Sequence, residues 1–319
     1  MFNLKSIYYY FLAFQISLVK FFKRVYFSTN YYNKSLLSKV PQQFYFNQNP
    51  LLLSSLTNYK KYSFKINEID PNLLWINKKD TVHEKDLHSF LWLNLIDRKS
   101  DGKSLQKIIK IWMLKHSNYK KNIWDSSILS QRIISWILNV DIILNNESFE
   151  FKRNFLVSIT SQANHLKKNI KFEKNYSKRI EILTALLLTG LVFKEYFENY
   201  NIAIKELEKL VKDFFDQEGF PLSRNPSDLI YFSKYFILCK ECIKDAQKYI
   251  PEFLDDVIIQ NLKCLKNIST PNNQTPLFNG STEENLNQFD KFIDKSNFKS
   301  KERKNVICGI QKFKFKNTY

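Results

Sequence analysis

Asp216-Gln-Glu-Gly-Phe-Pro-Leu-Ser-Arg-Asn-Pro226 interrupts an otherwise nearly continuous series of helical hydrophobic patterns. The stretch holds one of only five glycines and two of only eight prolines in a chain of 319 residues. Gly219 permits a turn with positive φ, while Pro221 and Pro226 each fix φ and remove a backbone donor. Arg224 and Asn225 are therefore expected on a stiff loop between two helices. There they can be aimed at a ligand, or stand in solvent as in any interhelical turn.

Working outward from this loop, each flank reads as helix. Upstream, Ile204, Leu207, Val211 and Phe214 recur at helical spacing, as do Ile180, Leu183, Leu186 and Leu187 behind a cap expected at Ser177. Further back come Phe151, Phe155, Ile159 and Ala163, then Ile128, Leu129, Ile133, Trp136 and Ile137 behind Asp125 or Ser126. Leu105, Ile108, Ile109, Trp112 and Met113 mark another helix; Leu87, Phe90, Leu91 and Leu95 mark the first, closing at Ser100-Asp-Gly102. Downstream, Leu229 to Ile243 and Leu254 to Leu265 complete the set. All follow the i, i+3, i+4 rule of amphipathic helices. Helix starts recur at intervals of roughly 25 residues, so pairs form a repeating unit. Short links make neighbours antiparallel, and such hairpins curl into a solenoid or a toroid. Scarce glycine argues the same way, since sandwiches and barrels need many tight turns. The expectation is an all-α, incomplete (α/α) toroid of antiparallel hairpins.

This divides the chain into a lead-in (1–79), a toroid domain (80–270) and a linker with the start of a sheet (271–319). Pro41, Pro50 and Pro71 break up the lead-in after Asn30, which reads as an extended strap over the domain. At the far end Phe313 and Phe315 alternate with Lys312, Lys314 and Lys316, a short β-strand pattern. Residues 1–27 are aromatic and apolar but interrupted by Lys5, Gln15 and Lys20, too broken for a bilayer span. Ile7 to Phe14 lacks a following small-x-small cleavage site, so an amphipathic or packed helix is expected and the cytoplasm is favoured over the periplasm.

The 49 Lys+Arg residues against 31 Asp+Glu give a formal charge of +18, which favours an acidic partner: nucleic acid, an anionic membrane or an acidic polysaccharide. The cations are spread along the chain in a Lys-, Asn- and Ile-rich composition, so charge alone does not choose among these. Cys239 and Cys242 form a C-x-x-C inside a helical pattern, and Cys264 and Cys308 are not spaced as a second pair. Buried helix cysteines are expected, with no metal site. No H-E-x-x-H, P-loop, G-x-S-x-G or dinucleotide fingerprint occurs, which argues against nucleotide-driven chemistry and a cofactor. All five tryptophans lie between Trp75 and Trp136. Trp92, Trp112 and Trp136 fall on apolar helix faces, whereas Trp75 and Trp124 sit near loops, where a ring can stack on a sugar.

Five segments, in order, resemble the amino-terminal helical half of the heparinase II/III-like polysaccharide lyases, particularly a bacterial branch with unassigned substrates. They are Leu87-His-Ser-Phe-Leu-Trp-Leu93; Trp124 followed by Ser130-Gln-Arg-Ile-Ile-Ser-Trp136; Gln162-Ala-Asn-His-Leu166; Glu218-Gly-Phe-Pro-Leu-Ser-Arg-Asn-Pro226; and Pro276-Leu-Phe-Asn-Gly280. The resemblance implies a toroid normally followed by a large β-sandwich domain, and an acidic, uronate-containing glycan as substrate for β-elimination. It implies Arg179 and Arg224 as candidate catalytic groups, and His88, Trp124, Arg132, Asn164, His165, Asn225 and Asn279 as candidate substrate-binding groups. This sequence departs from the active pattern in several places. Ser177-Lys-Arg179 stands where active lyases carry an Asn-His pair, Glu218-Gly-Phe-Pro221 where relatives read Asp-Gly-Gly-His, and Asp228 where a tyrosine is expected. The β-sandwich domain is expected to be missing from this chain. The expectation is a glycan-binding helical half, inactive by itself, with a separate β-sandwich polypeptide as an expected partner and no nucleic acid. The competing reading is a basic helical-repeat scaffold for protein or nucleic acid. Convergence of Arg179 and Arg224 on one pocket would favour the first, and a concave stripe of Lys and Arg the second.

Overall fold

A computed structural model of the chain describes residues 4–37, 39–45, 47–56, 70–75, 81–99, 101–270, 272–284, 286–295, 306–307 and 309–311. Helices α1 (Leu4–Phe27), α2 (Asn30–Leu36) and α3 (Pro71–Leu74) precede the expected series. The series itself is α4 (Thr81–Ser89) and α5 (Gly102–His116), then α6 (Ser126–Leu138), a short α7 (Val140–Ile143) and α8 (Phe149–Asn169). Next come α9 (Tyr176–Val192) with α10 (Phe197–Phe214), and α11 (Pro226–Asp245) with α12 (Glu252–Ile268). Helix α13 (Asn287–Lys295) and an antiparallel hairpin of β1 (Val306–Ile307) and β2 (Ile310–Gln311) follow. The alternating strand expected at Lys312–Lys316 lies outside the described residues.

Contacts between these helices define two layers. α4 packs on α6, α6 on α9, and α9 on α11, an inner row in which side chains tie together the starts of α6, α9 and α11. α8, α10 and α12 return antiparallel outside them. This is an all-α, incomplete (α/α) toroid. The composition of each helix dictates its layer. α9 is buried on every side from Ile180 to Val192, as its nearly unbroken apolar run requires. α10 is one-sided: Ala203, Leu207, Leu210 and Phe214 face inward while Glu208 and Lys212 pair outside. These two helices approach closely because residue 190 is glycine. A Cβ there would lie 2.3 Å from the backbone N of Tyr200.

The described chain between α2 and Tyr45 is tied to the helices beneath it by specific polar anchors. Asn164 Nδ2 donates to Leu36 O (2.8 Å), Tyr196 Oη to Lys39 O (3.1 Å), and the Tyr45 N–H to Val192 O (3.1 Å). A 3-10 turn at Pro50–Ser55 then packs against both α6 and α11, with Leu53 fully buried.

Some boundaries differ from the sequence reading. The first helix stops at Ser89, and Leu91–Leu95 is a 3-10 turn, because Phe90 takes φ +58. Phe90 is wholly buried among the rings of Trp75, Trp92, Trp112 and Trp136, at 5.3–6.0 Å between centroids. Burying that ring outweighs continuing the helix. Asn175, two residues before Ser177, caps α9 through a 2.9 Å bond from Lys178 N. Trp75 is core, not a sugar platform: it stacks on His88 at 5.1 Å and donates to Ile108 O (3.2 Å). Cys239, Cys242 and Cys264 are buried on helices, and burial pushes the Cys239 thiol up to about 12. Cys308 lies outside the described residues.

The tight α9–α10 contact has a direct test. Gly190→Ala improves helix propensity by about 1 kcal/mol, yet drives a methyl into the α10 backbone. We expect net destabilisation of about 1–3 kcal/mol, read as a lower denaturation midpoint in urea.

Candidate functional site

The inner helices α6, α9 and α11 begin at one end of the toroid. Each start is capped by a side chain: Asp125 accepts from Ser127 N (3.1 Å), Asn175 from Lys178 N (2.9 Å), and Asn225 from Ser227 N (2.9 Å). Side chains then tie the starts together. Lys178 Nζ reaches Asp125 Oδ2 at 2.8 Å, and Tyr231 Oη donates to Ser177 O at 3.5 Å. Three helix N-termini thus present their first-turn amides and positive dipole ends at one face, which favours anions.

The loop before α11 is rigid for identifiable reasons. Asp216 Oδ1 accepts from Glu218 N (3.0 Å) and Phe220 N (2.9 Å), while Oδ2 accepts from Arg224 Nη1 (2.7 Å). Gly219 has φ +84, and a Cβ there would meet Gln260 Cβ at 2.4 Å, so the loop lies directly on α12. Arg224 itself is left-handed (φ 56), and its carbonyl accepts from Asn279 Nδ2 at 3.0 Å. Arg224, Asn225 and Asn279 are therefore brought together, with Leu222 and Leu277 exposed beside them. Arg179 stands on the next inner helix, its Nη2 on Glu206 Oε2 of α10 at 2.9 Å. Its Nε is buried without a partner among the described residues. The two arginines are held by different carboxylates on different elements.

Between α6, α9 and α11 lies a polar cluster that the sequence reading missed. Glu181 is buried and accepts from Gln131 Nε2 (2.6 Å) and Tyr235 Oη (3.2 Å). Burial pushes its carboxyl up, and hydrogen bonds from Ser127, Tyr231, Gln131 and Tyr235 oppose that. Burial, then the charge of Glu181, pushes the phenols of Tyr231 and Tyr235 upward. The available signal was one acid inside the apolar run of α9 and two tyrosines four apart on α11.

A cavity of about 400 Å³ borders the start of α6. Lys23, Arg24, Lys85 and Lys121 line it against Asp125 and Glu173, and Trp124 and His165 form part of its wall. A larger cavity, about 590 Å³, lies among α2, α5 and α8, apart from the gathered helix starts.

Of the other residues expected to bind substrate, several are consumed inside the fold. Arg132 has no exposed surface. It donates to Gln162 Oε1 (2.7 Å), His88 O (2.8 Å) and Ile123 O (3.2 Å), with its guanidinium 4.3 Å from the Trp112 ring centroid. His88 is buried and accepts from Trp112 Nε1 at 2.9 Å. His165 bonds Tyr32 Oη through Nδ1 at 2.7 Å, Trp124 donates to His116 O at 3.2 Å, and Asn164 holds the lead-in. The hydrophobic surroundings explain this: a polar side chain among buried rings must find its partners within the protein. Among the described residues no group of His, Cys, Asp and Glu is placed to hold a metal ion.

An incomplete helical toroid with an anion-favouring end is the class these features define. The profile of the family described as Heparinase II/III N-terminus matches residues 76–303, and the chain belongs to that family. Among solved structures, the heparan sulfate lyase HepC from Pedobacter heparinus is similar at 17% identity, with 83% of this chain and 47% of that one covered and a TM-score of 0.57. A heparinase III gene product is similar at 15% identity, covering 75% and 46% with a TM-score of 0.54. The chain thus spans a little under half the length of these structures, and the likeness is one of fold. No curated protein sequence matches it.

Two stability predictions follow from the buried polar groups. Arg132→Ala leaves two carbonyls and the Gln162 amide oxygen without their donor, beside an arginine-sized void. The expected loss is about 3–5 kcal/mol, seen as a large drop in thermal midpoint. The second concerns pH. Burial lowers His88 and His165 to about 3 and His116 to about 4; nearby cations, led by Arg132, Lys23 and Lys120 respectively, add to it. In the unfolded chain these imidazoles take up protons below about pH 6.5, whereas the folded state resists. Their contribution is complete above that pH and is lost as pH falls towards 3–4, by up to about 1.4 kcal/mol per pH unit each. Urea midpoints measured from pH 7 down to 4.5 should fall steadily, and His165→Gln should flatten the slope.

Proposed function

We propose that this chain is the helical, glycan-binding part of a polysaccharide lyase system, and that it holds an acidic, uronate-containing glycan at the end where α6, α9 and α11 begin. The observation that carries this reading is the cavity lined by Lys23, Arg24, Lys85 and Lys121 at that end. Basic side chains and gathered helix N-termini together favour a polyanion. Arg224, stiffly mounted beside Asn225 and Asn279, has the forked geometry that suits carboxylate or sulfate. Asp216 now occupies one arm of it, so a glycan anion competes for or shares that guanidinium. In this reading residues 80–270 face the glycan, and residues 271–319 lead towards a β-sandwich partner, to which the exposed Leu222 and Leu277 offer apolar contact.

Binding is favoured over cleavage by this polypeptide. β-Elimination requires a neutralised carboxylate, a base for the C5 proton and an acid for the leaving oxygen. Tyr119 lines the cavity, and Tyr231 and Tyr235 lie in the cluster behind the helix starts; burial pushes all three phenols upward, which disfavours the phenolate that a base would need. Asp228 bonds Ser223 (2.5 Å) at the position where the family pattern has tyrosine.

The test is a titration with heparan sulfate and alginate oligosaccharides at low and high salt, alongside the ultraviolet absorbance of an unsaturated uronate product. Binding that weakens with salt and no gain in absorbance are expected. Lys85→Ala and Lys121→Ala should each weaken binding about two- to fivefold at low salt. Growth of absorbance that Arg224→Ala abolishes would overturn the binding-only reading. Tight binding of nucleic acid without any acidic glycan would overturn the whole of it.

A further inference from the structure

Among the described residues, helix α1 is the one long element that the fold does not bury. It runs 24 residues, about 36 Å at the standard rise. Only its last turn is docked: Phe27 is buried against Tyr32 and His165, and Lys23 sits over the Phe172 ring at 4.4 Å. Before that turn its large apolar side chains are bare, Tyr10 at 73% and Val19 at 65% exposure. These side chains are not scattered. Ile7, Phe11, Phe14, Leu18, Phe21 and Val25 form one continuous stripe, and Tyr8, Leu12, Val19 and Phe22 widen it on one side. The opposite, narrower face carries Ser6, Ser17, Lys20, Lys23 and Arg24, with Tyr9 and Ile16 among them. With Lys5 the helix holds four cations and no acid.

We infer that α1 is a membrane-surface anchor, lying in the interface of an anionic bilayer with its aromatic stripe in the acyl boundary and Lys20 and Arg24 among the headgroups. Three features favour a lipid surface over a protein groove or a second copy. The apolar arc is wider than a coiled-coil seam, so pairing two copies would leave Tyr8, Leu12, Val19 and Phe22 in water. Side-by-side copies would also bring together two cationic helices with no acid to offset them. A bilayer accepts the whole arc at once, and its anionic headgroups complement the cationic face. A flat, surface-bound pose rather than a crossing fits the composition: among the described residues no helix is long and apolar enough to span a membrane. Tyrosines at positions 8–10 suit the headgroup boundary, where an apolar ring and a polar hydroxyl are both accommodated.

The test uses the full chain with phosphatidylcholine vesicles prepared with and without phosphatidylglycerol, read by flotation. Co-flotation with the anionic vesicles, weakened by salt, is expected. Phe11→Ser/Phe14→Ser/Leu18→Ser should reduce vesicle affinity at least about tenfold, and Lys20→Glu/Arg24→Glu should remove the preference for anionic lipid. Because these side chains are exposed, the circular dichroism melt of the toroid should not move. A Phe14→Trp variant adds a depth reading, since brominated lipid should quench the new tryptophan and leave the five buried or distant native ones unaffected. Failure to float with anionic vesicles, or flotation unchanged in the triple-serine variant, would overturn the proposal. So would a lipid-free dimer that the same serines dissolve, which would assign the stripe to a second copy. Glycan binding at the basic cavity is a separate measurement and can fail independently.

Discussion

A guanidinium with no exposed surface sits at the junction of the first two hairpins, and among the described residues no carboxylate pairs with it. Arg132 is solvated instead by the Gln162 amide, two backbone carbonyls and the face of Trp112. Taking a charge out of water is costly, and the cost is offset only if every donor is matched. That demand fixes positions far apart in sequence. The end of α4 must offer the His88 carbonyl, the link before α6 the Ile123 carbonyl, α8 its Gln162, and α5 its Trp112. Trp112 in turn donates to His88, which stacks on Trp75. One cation thereby specifies how the lead-in, α4, α5, α6 and α8 meet. Such a network sets a unique arrangement more than it adds stability, since an apolar core of equal volume carries no such matching requirement.

The other half of the toroid is organised by burial without polarity. α9 is enclosed on all sides, and the α9–α10 pair closes to the limit that Gly190 allows. Its one buried acid, Glu181, lies a single turn from the helix start and collects Gln131 from α6 and Tyr235 from α11. The three inner helices are thus locked in rotation about their axes near the end where their N-termini gather. A rigid frame of this kind holds Lys178, Arg179 and Arg224 at fixed separations, as the proposed glycan-binding role would need.

The fold was legible because its signals are local and repeated. Eight helical periodicities, scarce glycine and a single Gly/Pro-rich break give the hairpins and their order. Gly219 was readable as a positive-φ position from residue type alone, and its neighbour Gln260 shows why no larger residue fits. The site was less legible, for a physical reason. Arg132, His88 and His165 carry polar chemistry, but sequence spacing says only that they share helices with apolar residues. Whether a polar head points to solvent or into a core of rings depends on long-range packing. The separations that decide it, 44 residues from Arg132 to the His88 carbonyl and 133 from His165 to Tyr32, are invisible to local patterns. Glu181 was missed by the same limitation in reverse, an acid whose partners lie 50 and 54 residues away.

The last turn of α1 links the two surfaces proposed here to meet anions. Lys23 and Arg24 belong to the narrow basic face of that helix and also line the cavity beside the start of α6. The aromatic stripe faces away from them, so a bilayer that took up the stripe would lie across the helix from the cavity. The geometry then sets an order of consequences. Headgroups and glycan would draw on different cations, Lys5 and Lys20 for the first and Lys85 and Lys121 for the second, with Arg24 between them. The coupling between the two ligands therefore passes through one exposed arginine and a helix turn pinned by Phe27. Like-charged ligands meeting at a shared cation compete for it, and the competition weakens as salt screens it. A membrane-bound chain would consequently hold its glycan less tightly than a detached one at low ionic strength, and equally well at high.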